Sequence, residues 1–230
     1  MKKKNIVVLT GAGISAESGI KTFRDSGGLW EEYDVMTVAS IEGWRKNPEL
    51  VQEFYNKRRK ELEKAAPNDA HKILAKLEEK FNVAVITQNV DNLHERGGST
   101  SIIHLHGELT KARSSTNPSL IREIGYRAIE KAEKAEDGSP LRPHIVWFGE
   151  AVPMIESAAV KVRDADILII TGTSMNVYPA AGLVEYARPD IPVYLIDPNE
   201  VNWSGRRKIT FIKEKASSGM KRLYKILTAE

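Results

Sequence analysis

IVVLTGAGIS, residues 6–15, decides how this chain folds. Its first four positions are an unbroken apolar run closed by a threonine, and glycines follow at positions 11 and 13. A strand covered on both faces has this continuous pattern, whereas a half-exposed strand alternates. Two glycines two apart let the backbone turn tightly and let a ligand approach it. A helix starting behind them would aim unpaired N–H groups at a phosphate. A glycine turn of purely structural use has the same sequence, and the spacing is not GxGxxG, because position 16 is alanine and the next glycine is Gly19.

The pattern recurs. VAVIT (83–87) runs into QNVDN, ILIIT (167–171) into GTSMN and VYLI (193–196) into DPNE, with Ile102–His104 as a shorter fifth candidate. Helical spacing lies between these runs. NDAHKILAKLEE (68–79) puts Ile73, Leu74 and Leu77 on one face behind Asn68 or Asp69 as cap, and Glu156–Arg163 and Ala180–Ala187 read as helices too. Strands alternating with helices predict an α/β fold with a doubly wound parallel sheet. Such sheets bind ligands beyond their strand ends, where the polar residues cluster here.

Two stretches break the alternation. Residues 21–66 hold aromatic loop segments and a helix starting near Asn47-Pro48. Residues 108–142 are polar, with a helical pattern over Leu120–Lys134 and a turn at Asp137-Gly138-Ser139-Pro140. The reading is a main domain of residues 1–20, 67–107 and 143–230, and a smaller domain formed by the two insertions.

Composition bounds the chemistry. The 230 residues include no cysteine, which excludes disulfides, thiolate catalysis and thiolate-held metals. Net charge is only +3, and no apolar run approaches the roughly 18–20 residues that cross a bilayer. Lys2, Lys3 and Lys4 precede too short an apolar stretch for a signal peptide. A soluble, cytoplasmic, monomeric protein is expected, with no membrane association. The pI near 8.9 lacks the basic stripe with interleaved aromatics that specific nucleic-acid binding would want.

Several pieces carry chemistry. Gly11 and Gly13, then Gly172, Thr173 and Ser174 in TGTSMN, then Asp197 or Asn199 in DPN, offer phosphate and ribose partners at three strand ends. Together they suit one large ligand of the size of NAD. Gln88, Asn89 and Asp91 crowd amides and a carboxylate into one strand end, where buried and unpaired they would cost several kcal/mol each. Asp91 could cap the next helix, which leaves Gln88 and Asn89 unexplained. In IIHLHG, His104 and His106 would face one side if both lay on the strand. A metal pair, a packed histidine and a general base with a near-neutral pKa all remain open. In VQEFYNKRRKEL (51–62), Val51, Tyr55, Arg58 and Leu62 share one helix side. Either both polar ends snorkel to water, or they form an anion pocket, since arginine grips a carboxylate bidentately and tyrosine adds a donor. HIVWFGE (144–150) reads as a core strand or as a strand that pairs with an extended peptide.

In combination, GAGISAESGIKTFRD, TQNVDNLHERGG, LHG, RPHIVWFGE and GTSMNVYPAAG resemble, in this order, the sirtuin family of NAD-dependent protein lysine deacylases. The resemblance spans roughly residues 5–200. It implies a Rossmann-like NAD domain, a small domain, and an acyl-lysine protein or peptide held in the cleft between them. NAD would be consumed, not reduced. By resemblance, Ala12, Phe23, Arg24, Gln88, Asn89 and Asp91 surround nicotinamide and its ribose, Gly11, Gly172, Thr173 and Ser174 hold phosphate or adenosine, Asn199 holds the adenosine ribose, and Gly13 belongs to the same cofactor site. His106 matches the catalytic histidine, and Asn89 is expected to take part in catalysis as well. Val146, Phe148 and Gly149 line the lysine tunnel or pair with the peptide. The implied chemistry runs through an alkylimidate to 2′-O-acyl-ADP-ribose, nicotinamide and free lysine.

Tyr55 and Arg58 resemble the Tyr-x-x-Arg of sirtuins that prefer negatively charged acyl groups, and Ala39, sixteen positions before Tyr55, matches their small pocket residue. Succinyl or malonyl removal, with acetyl also accepted, is the implied activity. A competing account is an ADP-ribosyltransferase or a non-catalytic NAD-binding module built on the same turns. One departure stands out. Sirtuins usually hold a structural zinc on four cysteines between LHG and RPxxVxFGE, and here that interval has none, so no zinc is expected. The Leu120–Lys134 helix, burying Leu120, Ile121, Ile124 and Ile129, is the expected replacement.

Overall fold

The computed structural model describes residues 3–22, 33–173, 178–200 and 208–229. Its main sheet is parallel and six-stranded. β1 (Asn5–Thr10), β2 (Asn82–Thr87), β3 (Ile102–His104), β7 (Ile167–Thr171), β8 (Val193–Ile196) and β9 (Thr210–Ile212) lie in the order β3-β2-β1-β7-β8-β9. The chain winds outward from β1 to β3, returns to β1's other side with β7, and winds outward again. The reversal makes the β1/β7 boundary the switch point, where a crevice opens beyond the strand ends.

The apolar runs are continuous because each strand is covered twice. Val7, Leu9, Ala84, Ile86, Leu168 and Ile170 face one cluster, which includes Ala158, Ala159 and Val162 of the Ile155–Arg163 helix. Their neighbours Ile6, Val8, Val83, Val85, Ile167 and Ile169 face the other, against Ala70, Leu74 and Leu77 of the Asp69–Leu77 helix and Met220 and Leu223 of the Ala216–Thr228 helix. The fold is the α/β sheet with helices on both faces that the alternation predicted. Asn68 caps its helix as expected, accepting from the Ala70 N–H at 2.9 Å. The 180s segment is a 3₁₀ helix, Ala180–Tyr186, rather than an α-helix.

The smaller part combines a helix with a second, antiparallel sheet. The Pro48–Lys64 helix starts where Asn47-Pro48 predicted, with Asn47 capping the Leu50 N–H and Pro48 in the first turn. It buries Val51, Phe54, Tyr55 and Leu62 against Leu109, Ile145 and Trp147. Arg59, fully buried, donates to the carbonyls of Arg127 and Leu109 and so ties this helix to the sheet. That sheet has the order β5-β4-β6, from β4 (Gly107–Ser114), β5 (Ile121–Glu123) and β6 (Leu141–Ile145).

The Leu120–Lys134 helix does not exist. Ile121 opens β5 and is 45% exposed, and Leu120 is only half-buried. Pairing of Lys111, Ala112 and Arg113 with β5 draws the segment into extended form, and Gly125 turns it at φ +59°. Ile124 and Ile129 are buried as expected, but from irregular backbone, packed with Ala112 and Leu141. Polar groups do the rest. Asp137 accepts from the Ser114, Thr116 and Ser139 hydroxyls at 2.6, 3.1 and 2.7 Å, while the Ser114 oxygen accepts the Thr116 and Asn117 N–H groups. One carboxylate and three hydroxyls, with no thiolate or imidazole, do not make a zinc site.

Candidate functional site

The crevice at the switch point begins where two glycine turns interlock. The Gly11 N–H donates to the Thr171 carbonyl at 3.2 Å, and the Gly13 N–H to the Gly172 carbonyl at 2.8 Å. A Cβ on Gly13 would stand 2.7 Å from the Gly172 Cα, and one on Gly172, at φ +66°, would overlap the Ile14 amide nitrogen. These glycines therefore serve each other as well as a ligand. The helix behind them is one turn, Gly13–Ala16.

Beside this cradle, the end of β2 supplies the polar cluster. Gln88 donates to the Thr173 hydroxyl at 3.1 Å. Asn89 and Asp91, both buried, meet through Ser15, whose hydroxyl accepts from Asn89 at 3.2 Å and donates to Asp91 at 3.0 Å. Burial raises the Asp91 pKa, and the Leu93 N–H and Ser15 bonds oppose the rise. Asp91 does cap the Leu93 turn, at 3.1 Å from its N–H. Gln88 and Asn89 keep atoms on the crevice.

The two histidines separate cleanly. His104 ends β3, whereas His106 lies beyond the strand, so they are not a pair on one face. His104 gives Nδ1 to the Asn89 carbonyl at 3.1 Å and Nε2 to the Glu95 carboxylate at 2.7 Å. Two acceptors require two N–H donors, so this ring is an imidazolium. Burial opposes that charge, but the Glu95 bond and the Glu95 and Glu108 charges outweigh it and raise the pKa. Glu95, His104 and Glu108 bring ligand-type atoms within 4.8 Å of one another. With Lys111 already on Glu108 at 2.6 Å, they form an ion-pair cluster. His106 stands apart. Its Nδ1–H donates to the Gln88 carbonyl at 3.0 Å, which fixes the tautomer and leaves the Nε2 lone pair available. Burial lowers its pKa, so it is neutral at pH 7.

Tyr55 and Arg58 do not snorkel. Both are buried, and both line the crevice with Ala39 and His106. The Tyr55 hydroxyl accepts from the Trp147 indole N–H at 2.9 Å and has no acceptor of its own among the described residues. Burial raises its pKa, so the phenol keeps its proton to donate. Behind Trp147, the Arg142 guanidinium lies 3.5 Å from the ring centroid and grips Glu150 through two bonds of 2.7 and 2.9 Å. Glu150 also accepts the Trp147 backbone N–H at 2.9 Å. Arg58 pairs with Glu61 at 2.6 Å; burial lowers its pKa and the Glu61 charge pulls it back.

The crevice holds about 700 Å³, within the range of ligand sites. Gly11, Ala12, Gly13, Gln88, Asn89, His106, Gly172, Thr173 and Asn199 line it, as do Ala39, Tyr55, Arg58, Val146, Phe148 and Gly149. Asp197 is there too, whereas Asp91 borders a small adjoining cavity shared by Ala12, Asn89 and Arg58. Val146 and Phe148 are anchored by backbone, their N–H groups donating to the His106 and Ala39 carbonyls. Phe23, Arg24 and Ser174 fall outside the described residues. Ser15, Glu61, Trp147 and Glu150 were not singled out from sequence. Ser15 sits inside a motif read for its glycines, and Trp147 meets Tyr55 across 92 positions. A glycine-lined cradle with amide and hydroxyl groups and carboxylate acceptors at three strand ends fits a dinucleotide of NAD's size.

Comparison with known proteins agrees with this geometry. Residues 11–179 match the family model described as the Sir2 family. The chain is 56% identical over 229 residues to an "NAD-dependent protein deacylase" of Bacteroides thetaiotaomicron, covering 97% of this chain and 98% of that one. Among solved structures it superimposes on a mutant Sir2 homologue–ADP-ribose complex at a TM-score of 0.88, with 37% identity, covering 99% of this chain and 95% of the other. A Sir2 homologue–NAD complex matches at 0.86 and 37%, covering 99% and 90%.

Proposed function

Since this chain belongs to the Sir2 family, we propose that it is an NAD-dependent protein lysine deacylase that favours acidic acyl groups, succinyl or malonyl, accepts acetyl, and uses His106 as general base. The observation that carries the acyl preference is the burial of Tyr55 and Arg58 together on the wall of the crevice that His106 lines. A phenol O–H with no acceptor among the described residues and a guanidinium beside it are what a terminal carboxylate needs, and Ala39 leaves the space.

NAD, when bound, supplies the electrophilic ribose carbon and the nicotinamide leaving group. Its place is the interlocked glycine turns with Gln88, Thr173 and Asn199, while Asn89 and Asp91 bound the nicotinamide end. His106 Nε2 takes a proton from a ribose hydroxyl, and the Gln88 carbonyl holds the ring in the tautomer that permits it. Trp147 to Gly149, tied to Ala39 through the Phe148 N–H, form the side along which the acyl-lysine segment lies.

The test is mass-spectrometric. One peptide carrying succinyl-, malonyl- or acetyl-lysine is incubated with and without NAD and scored for free lysine and acyl-ADP-ribose. Faster succinyl than acetyl removal, lost in Arg58→Met, is the expected result. No turnover of any peptide despite NAD binding would overturn the deacylase reading in favour of a transferase or a binding module.

A further inference from the structure

We propose that Glu61 is a specificity-determining residue, an internal carboxylate that competes with an acidic acyl group for Arg58; this deepens the acidic-acyl reading above and rests on it. Glu61 lies three positions after Arg58 on the same helix and holds its Nη1 through Oε2 at 2.6 Å. It is the only hydrogen-bond partner of Arg58 among the described residues. The two side chains differ in environment: Arg58 is 10% exposed and Glu61 46%. Arg58 also stands at the junction of two cavities, one wall on the main crevice and one on the small cavity that Glu61, Asn89 and Asp91 border.

The consequence follows from charge. A guanidinium this buried needs a counter-charge, and with no ligand Glu61 provides it. Toward a neutral acyl group the pocket is then electrically quiet, so acetyl-lysine enters without stranding a cation. When an acyl carboxylate arrives, two anions face one guanidinium, and like charges at such range repel. The substrate carboxylate is confined by the tunnel, whereas Glu61 has water beside it. Glu61 therefore swings out, and the ion pair it gives up is subtracted from acidic-acyl binding. The tyrosine hydroxyl and Asp91 also bear on Arg58, but neither hydrogen-bonds to it.

The experiment compares wild type, Glu61→Gln, Arg58→Met and the double variant on succinyl- and acetyl-lysine peptides, with kcat and KM separated. Glu61→Gln keeps size and removes charge at a half-exposed position. It is expected to lower the succinyl KM about fivefold, the scale of a partly exposed ion pair. The succinyl kcat and both acetyl parameters should stay within about twofold, and the gain should vanish in the Arg58→Met background. An unchanged succinyl KM in Glu61→Gln, while Arg58→Met still abolishes the acyl preference, would overturn the Glu61 proposal and leave the acidic-acyl reading standing. Equal KM changes for both peptides would reduce Glu61 to a structural role. An Arg58→Met enzyme with wild-type preference would remove the acidic-acyl reading and this proposal with it.

Discussion

Replacing Trp147 by phenylalanine tests the scaffold behind the acyl pocket. The Trp147 N–H and the Tyr55 hydroxyl meet at 2.9 Å, with the residues 2% and 5% exposed, so the deleted donor is lost from a largely buried contact. Stranding a buried oxygen costs about 1–3 kcal/mol. The smaller ring also gives up part of the Arg142 stack, on the order of 0.5–1 kcal/mol. Trp147→Phe should therefore be destabilised by roughly 1.5–4 kcal/mol in urea unfolding. A double-mutant cycle with Tyr55→Phe isolates the hydrogen bond, because the double variant loses no more of it than either single one. The expected coupling is about 1–2 kcal/mol, with the double variant less destabilised than the sum. Additivity within about 0.5 kcal/mol would refute the claim that the indole N–H holds the phenol.

Other outcomes are equally specific. His106→Gln should cut deacylation by about 10²–10⁴ while the fold, read by circular dichroism, is kept. The neutral ring is the active form and burial lowers its pKa, so the acid limb of kcat/KM for the wild type should lie below that of an ordinary histidine, whose midpoint is about pH 6.5. His71 is buried and neutral, with a pKa lowered to about 4 by desolvation, so the unfolded chain binds the extra proton between about pH 6.5 and that value. Its contribution to stability is complete above about pH 6.5 and is lost as pH falls toward 4; His71→Gln should flatten that part of a urea-midpoint-against-pH curve. A zinc chelator should leave melting temperature and deacylation unchanged, while Asp137→Ala, which removes the hub of the small sheet's hydroxyl cluster, should lower the melting temperature. A chelator-induced loss of either property would contradict the metal-free account.

How much of this was legible depended on whether a residue's partner was near in sequence. Ile6–Thr10, Val83–Thr87, Ile167–Thr171 and Val193–Ile196 declared themselves because cover on both faces writes a continuous apolar run. Asn47-Pro48 and Asn68 announced their helices by capping chemistry. The Leu120–Lys134 segment misled because isoleucines at helical spacing also arise when irregular backbone drops single side chains into a core, and pairing with β4 outweighs local propensity. His104 and His106 looked alike on paper. What distinguishes them is that one has two acceptors and the other has one, and the acceptors come from Gln88 and Asn89, just past β2, and from the Leu93–Arg96 turn. Tyr55 was visible as an anomaly on an apolar helix side, but its donor, Trp147, belongs to a strand end that only the fold brings near.

The Asp137 hub has a bearing on durability. A thiolate cluster fails by losing electrons to peroxide or by losing its ion to a stronger chelator, and each failure unties the lobe it holds. A carboxylate drawing in three hydroxyls offers an oxidant no sulfur and a chelator no cargo. Its ordinary failure, protonation, is deferred, because the Ser114 and Ser139 hydrogen bonds hold the Asp137 carboxyl well below the usual carboxylate range. The Asp137 hub thereby offers redox state and metal supply nothing to act on, and acid is what unfastens it.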